Sequence, residues 1–238
     1  MPADDIRLEV RDLTKSFETG GKRLEVLRGI TMDVAAGEIV AIVGPSGVGK
    51  STLLHIMGAL DRPSGGSVRI DGVDVFDLPS GSVSAFRNRT IGFVFQFHHL
   101  MRELTALENV MMPCLIAGRT KAEARSRAGD LLDRVGLSER VDHKPGELSG
   151  GEEQRVAVAR ALAVDPLVIL ADEPSGNLDR AGSEGLHDLI WELRESYGQT
   201  FVIVTHNSSL SSRADRVVAL EDGLIVGPEE GLAHVAAM

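Results

Sequence analysis

Five apolar residues, Ile39 to Val43, run directly into a nine-residue segment composed of Gly44, Pro45, Ser46, Gly47, Val48, Gly49, Lys50, Ser51 and Thr52. This segment fits the pattern G-x-x-x-x-G-K-[ST], which works only as a strand, a glycine turn and a helix in that order. The required helical run follows at Leu53, Leu54, Ile56, Met57 and Leu60. Glycines let backbone N–H groups turn inward onto phosphate oxygens, and the helix adds its positive end. Lys50 is expected to reach the β- and γ-phosphates of a nucleotide, and the Ser51 hydroxyl to ligate Mg²⁺.

Further strand-length apolar runs occur at Ile91–Phe95, Val168–Ala171 and Phe201–Thr205. Strand and helix alternate around them, so the expected class is α/β with a mainly parallel sheet. Ile6, Leu8 and Val10 alternate with polar residues, as do Ile30, Met32 and Val34. Asp71-Gly72 between Val68/Ile70 and Val73/Val75 reads as a tight hairpin. These pieces predict an antiparallel β layer against the nucleotide core.

Between Gln96 and Pro166 the pattern becomes helical. Capping boxes at Thr105/Glu108, Thr120/Glu123 and Ser149/Glu152 are each expected to open a helix. The second places Ala128, Leu131, Leu132 and Val135 on one face and stops at Gly136. The third stops before Asp165-Pro166, since a residue preceding proline avoids helical dihedrals. Further on, Leu186, Leu189, Ile190, Leu193 and Tyr197 form one stripe, read as core, ended by Gly198. The whole chain, 1–238, reads as one domain with a helical subdomain inserted over about 97–165.

Asp172 and Glu173 close the strand that starts at Val168. A carboxylate at the end of a buried strand needs a metal or hydrogen bonds, so Asp172 is expected in the Mg²⁺ shell, directly or through water. Glu173, one residue on, points elsewhere and suits a general base for an attacking water. Ser149, Gly150 and Gly151 open a helix, and their backbone donors form an anion site. A second phosphate site, separated from Lys50 by helices, makes sense if it serves the nucleotide of another molecule.

The order of these three motifs, with Leu148-Ser149-Gly150-Gly151-Glu152 between the other two, resembles the ATP-binding cassette family of transporter ATPases from Ile6 to Val226. The resemblance implies ATP and Mg²⁺ as ligands and a homodimer in which two copies meet head to tail. Each ATP would then lie between one copy's phosphate loop and the other's Ser149–Gly151. It further implies that Gln96 touches metal and water, that His206 is a switch histidine for the γ-phosphate, and that Asp179 lies in the loop linking the two sites. Phe17 matches the position that stacks on adenine, while simple packing is an equal reading of that ring. Two positions depart from the family's usual pattern: Asn207 replaces aspartate after the switch histidine, and Ser175 replaces threonine.

Phe95–Leu100, Thr105–Val110, Met112-Pro113 and Gly118 resemble the branch serving bacterial lipoprotein-releasing systems, and related macrolide and peptide exporters share much of this stretch. The implied partners are integral membrane transporter subunits. His98 and His99 read either as partner-choosing residues or as packing within the helical lobe. Leu100, Met101, Leu104, Leu107, Met111 and Met112 read partly as lobe core and partly as a groove for a short helix of the partner.

The net charge of −10 gives no basic face for a nucleic acid. A soluble cassette acting on DNA or ribosomes is further opposed by the single cassette and by the lack of a long coiled-coil insert. Intact Lys50, Asp172 and Glu173 oppose a catalytically dead regulator. The lone cysteine, Cys114, excludes an internal disulfide and reads as a small buried residue. Residues 1–5 lack a leader's basic and apolar regions, and no apolar run is long enough to span a bilayer. The expected location is therefore the cytoplasmic side of the inner membrane, with membrane contact only through the partner.

Overall fold

The computed structural model describes residues 6–227; residues 1–5, read above for a leader, lie outside it. Strand β3 (Ile39–Val43) is buried throughout because it sits inside a six-stranded sheet ordered β10-β9-β3-β8-β7-β6. Its companions are β6 (Ile91–Phe95), β7 (Val168–Asp172), β8 (Phe201–Val204) and β9 (Arg216–Glu221), all parallel to it. Only β10 (Leu224–Val226) runs antiparallel, as a hairpin with β9. Side chains alternate across this sheet, as the pleat requires. Val40, Ile42, Leu170, Val202 and Val204 enter one apolar cluster, whereas Ile39, Ile169, Ala171, Phe201 and Ile203 enter another. Both faces are covered, which explains strands apolar at every position.

The first cluster lies beneath a four-stranded antiparallel sheet ordered β2-β1-β4-β5. It is built from β1 (Ile6–Thr19), β2 (Lys22–Ala35), β4 (Gly65–Ile70) and β5 (Val73–Asp74). Leu8, Val10, Ile30, Met32 and Val34 supply its inner face, and helix α1 (Lys50–Met57) adds Leu53, Leu54, Ile56 and Met57. Asp71 and Gly72 take φ of 51° and 75°, the left-handed values that a two-residue hairpin turn demands.

The second cluster is closed by α3 (Ala106–Ile116), α4 (Lys121–Arg134), α5 (Gly150–Ala161) and α6 (Arg180–Tyr197). Thr105, Thr120 and Ser149 each form both hydrogen bonds of a capping box, an arrangement worth about 1 kcal/mol per helix. Tyr197 does not join the core stripe expected of α6. It is 51 % exposed, with the Arg134 guanidinium 4.7 Å from its ring centre. The last turn of α6 overshoots the cluster, so the ring pairs with a cation at the rim. Cys114 is buried and donates its thiol to the Ala163 carbonyl at 3.1 Å; burial pushes its pKa up, which keeps it a packing residue.

Helix α2 (Ser80–Thr90) is not expected from the sequence, because it buries no residue fully and lays only Val83 and Phe86, both partly buried, against the first cluster. Hydrogen bonds add to that contact: Arg87 donates to the Ala59 carbonyl at 2.8 Å and Asn88 to the Pro113 carbonyl at 3.2 Å. Among the described residues no helix is long and apolar enough to cross a membrane.

Candidate nucleotide site

Register brings the chemistry together. Ile42 pairs with Val204, Val204 with Asp172, and Asp172 with Phe95, so four parallel strands end level with one another. Gly44, Gln96, Glu173 and Thr205-His206 follow those ends, where ligands bind in open α/β sheets. A cavity of about 540 Å³ there is lined by Phe17, Ser46, Gly47, Gly49, Lys50, Ser51, Thr52, Gln96, Asp172, Glu173 and His206. Ser149, Gly150, Gly151 and Asp179 do not line it.

The phosphate loop is pressed against the sheet. A Cβ on Gly44, whose φ is 145°, would sit 2.2 Å from the Leu220 carbonyl oxygen. Lys50 folds back over the loop and donates to the carbonyls of Gly44 at 2.7 Å and Pro45 at 2.9 Å. Burial pushes its pKa down, opposed by the carboxylates of Glu173 and Asp172, so an anion in the loop would favour the charged ammonium. Ser51 Oγ donates to Asp172 Oδ1 at 3.2 Å. Burial raises the pKa of Asp172, and a cation beside it would reverse that shift. A hydroxyl and a carboxylate held together suit Mg²⁺, which takes one or two protein oxygens and otherwise phosphate and water.

Glu173 has φ of 46°, an uncommon left-handed value for a residue with a side chain. Its N–H is held by the Val204 carbonyl at 2.9 Å, and the twist turns its side chain away from that of Asp172 toward His206. His206 Nδ1 lies 2.8 Å from Glu173 Oε1, and the His206 backbone N–H donates to Oε2 at 3.2 Å. Asn207 does not extend this pair. Its Oδ1 caps helix α7 (Ser208–Ser211) by accepting from the amides of Ser209 and Leu210. Ser175 Oγ meets the buried ring of His187 at 3.1 Å, a contact beneath the loop rather than in the cavity.

Gln96 is held by a residue the sequence reading passed over. Its Nε2 donates to Asn177 Oδ1 at 3.0 Å, and Asn177 Nδ2 donates back to the Gln96 carbonyl at 3.0 Å. Asn177 lies between Ser175 and Asp179, but nothing in one sequence says that two amides face each other. Phe17 is 39 % exposed at the cavity wall with Lys15 Nζ 4.8 Å from its ring centre, so its outer face is open to a flat partner.

The Ser149–Gly151 segment is built differently. Ser149 caps α5, and Asp179 caps α6 by accepting from the Gly182 amide at 2.8 Å. The two helix starts are neighbours: a Cβ on Gly150 would lie 3.8 Å from Leu178. Glu152 accepts from the Ser149 amide at 2.8 Å, from Ser149 Oγ at 2.9 Å and from Arg140 Nε at 2.8 Å. His98 and His99 serve the lobe's packing. His98 Nδ1 pairs with Glu153 at 2.9 Å, Arg160 takes both carbonyls at 2.7 Å, and the His99 ring meets Phe95 edge-on. Of the residues read as a possible groove, Leu107 and Met111 are buried in the lobe and Leu100 packs against it.

Known proteins share this arrangement. A family profile described as ABC transporter matches residues 27–176. The "Lipoprotein-releasing system ATP-binding protein LolD" of Geobacter metallireducens is 58 % identical over 92 % of this chain and 97 % of its own length. The protein of the same name from Bacteroides fragilis is 55 % identical over 92 % of this chain and 100 % of its own. The solved "Dimeric Structure of MJ0796, a Bacterial ABC Transporter Cassette" superposes with a TM-score of 0.85 at 40 % identity, covering 92 % of this chain and 97 % of that one. With the motifs, the layered fold and these relatives in agreement, the chain belongs to the ABC transporter family, as an ATP-hydrolysing subunit.

Proposed function

We propose that two copies of this chain sandwich two ATP molecules head to tail and drive an inner-membrane transporter of the lipoprotein-releasing type from its cytoplasmic face. The observation that carries the reading is separation: Lys50, Ser51, Asp172 and Glu173 share one cavity, whereas Ser149, Gly150 and Gly151 at the start of α5 do not line it. Two anion sites in one chain that do not share a cavity are most simply used by two molecules. The names of relatives 51–58 % identical to this chain favour lipoprotein release over related export functions.

In this reading Gly44–Thr52 hold the phosphates and Phe17 offers its open face to adenine. Bound Mg²⁺ would be held by Ser51 and Asp172, with Gln96 at its edge, and would neutralise charge on the β- and γ-phosphate oxygens. Glu173 orients the attacking water and takes its proton. The His206 side chain, 68 % exposed, is free to turn onto the γ-phosphate and leave Glu173 Oε1 to that water. Asp179 stands beside the partner copy's nucleotide.

The transporter contact is assigned to a groove of about 440 Å³ between α2, β6, α3 and α5, lined by Arg87, Phe93, Phe95, Pro113 and Ile116 among others. Ile116, the last residue of α3, is 67 % exposed, an apolar side chain left open at the groove. An amphipathic helix from the membrane subunit fits such a cleft. Ile116→Glu is expected to abolish co-purification of an integral membrane protein while ATPase activity of the isolated chain survives. Mixing Lys50→Ala with Ser149→Arg chains is expected to restore about one working site per heterodimer. Retained co-purification would overturn the groove, and absent rescue the two-copy site.

A further inference from the structure

The helix that carries Ser149 also carries a permanent negative charge where an anion is meant to approach. Glu152 stands three residues into α5, and its carboxylate accepts from the Ser149 amide and hydroxyl and from Arg140. These donors pull its pKa down to about 2, so it is ionised at any working pH. Two consequences follow. The single Ser149 hydroxyl proton is committed to Glu152 and must be surrendered before it can bond a phosphate. The carboxylate also repels that phosphate unless its charge is compensated.

Arg140 answers both. It lies in the single turn Ser138–Arg140 before the capped helix, and its Nε reaches Glu152 Oε1, while the serine occupies Oε2. When the hydroxyl rotates away, the carboxylate stays anchored by the Ser149 amide on one oxygen and by Arg140 on the other. We infer that Arg140 is a positioning and charge-compensating residue for the Ser149–Gly151 half-site, keeping Glu152 from opposing the partner copy's ATP. This inference rests on the two-copy reading above.

The test uses full-length chains carrying Glu173→Gln, so that ATP-bound dimers accumulate, with dimerisation in MgATP measured by sedimentation. Arg140→Ala is expected to weaken the dimer about tenfold, the order for one uncompensated charge near a surface, and less as salt rises. ATP binding to the monomer stays unchanged, because the phosphate loop is untouched. Adding Glu152→Gln to Arg140→Ala restores dimerisation to within about twofold of Glu152→Gln alone, since the repulsive charge is gone. Arg140→Lys, which keeps the charge, retains most of the affinity. An unchanged Arg140→Ala dimer, or a double variant as weak as Arg140→Ala, overturns the inference, the latter by making Arg140 a mere prop of its turn. If Glu173→Gln alone forms no ATP-dependent dimer, the two-copy reading falls and takes this inference with it; a dimer with a flat cycle removes only Arg140.

Discussion

The two segments proposed to hold phosphate, around Lys50 and around Ser149, are built on opposite plans. Around Lys50, every position is set by a buried sheet: four strand ends level in register, a glycine pressed on the Leu220 carbonyl, and an acid held at positive φ. Around Ser149, the donors sit on a helix tip fixed by local hydrogen bonds and one ion pair. The first is preorganised by packing. The second takes its local geometry from capping, at the tip of a helix whose body packs on the sheet.

The largest expected effect lies in the packed half. Glu173→Gln keeps the side chain's shape and hydrogen-bonding length but removes the proton acceptor. Hydrolysis should fall by roughly 10²–10⁴-fold while ATP still binds. Single-turnover hydrolysis beside equilibrium nucleotide binding measures both, and ordinary turnover would remove Glu173 from the chemistry.

A glycine pair then sets the halves directly against each other. Gly44→Ala drives a methyl group into a backbone carbonyl at a disallowed φ and is expected to cost about 3 kcal/mol or more. Gly151→Ala meets nothing within 4 Å and lies in a helix, where alanine is the better residue. Its stability should match the parent within about 1 kcal/mol, while ATPase activity drops as the methyl group crowds the approaching phosphate. Urea unfolding of both variants reads the contrast, and equal losses would break it.

The packed half was the more readable in sequence, for a physical reason. Strand, glycine turn and helix must be contiguous for a phosphate cradle to form, and so must a capping box, so both leave fixed spacings. Lys50, Ser51, Asp172 and Glu173 could be read that way, as could the starts of α3, α4 and α5. What escaped depends on contacts between distant segments. Asn177 faces Gln96 across 81 positions, and α2 is held by Arg87, Asn88 and a two-residue apolar contact too short to read as a helical period. Tyr197 kept the helical period of its neighbours but outran the cluster they bury in, because period does not say where a core ends. The Arg140–Glu152 pair is only 12 residues apart, yet a charge on a polar turn gives no sign of the acid it neutralises.

The smallest expected effect lies at the seam between the halves. Asn177 belongs to the loop that runs on to Asp179, whereas Gln96 ends a core strand and lines the nucleotide cavity. Their two amide hydrogen bonds, each 3.0 Å, tie that loop to the catalytic cavity. Exposed neutral hydrogen bonds are worth about 1 kcal/mol in net terms, so Asn177→Ala should lower kcat by about three- to tenfold. KM for ATP should hardly move, because no phosphate contact is lost. Asn177→Asp keeps the acceptor for Gln96 Nε2 but loses the donor to its carbonyl, and should fall between parent and alanine. A rise in KM at constant kcat would instead make the pair part of nucleotide binding. Unchanged kinetics would remove the Gln96–Asn177 pair as a link between the two halves.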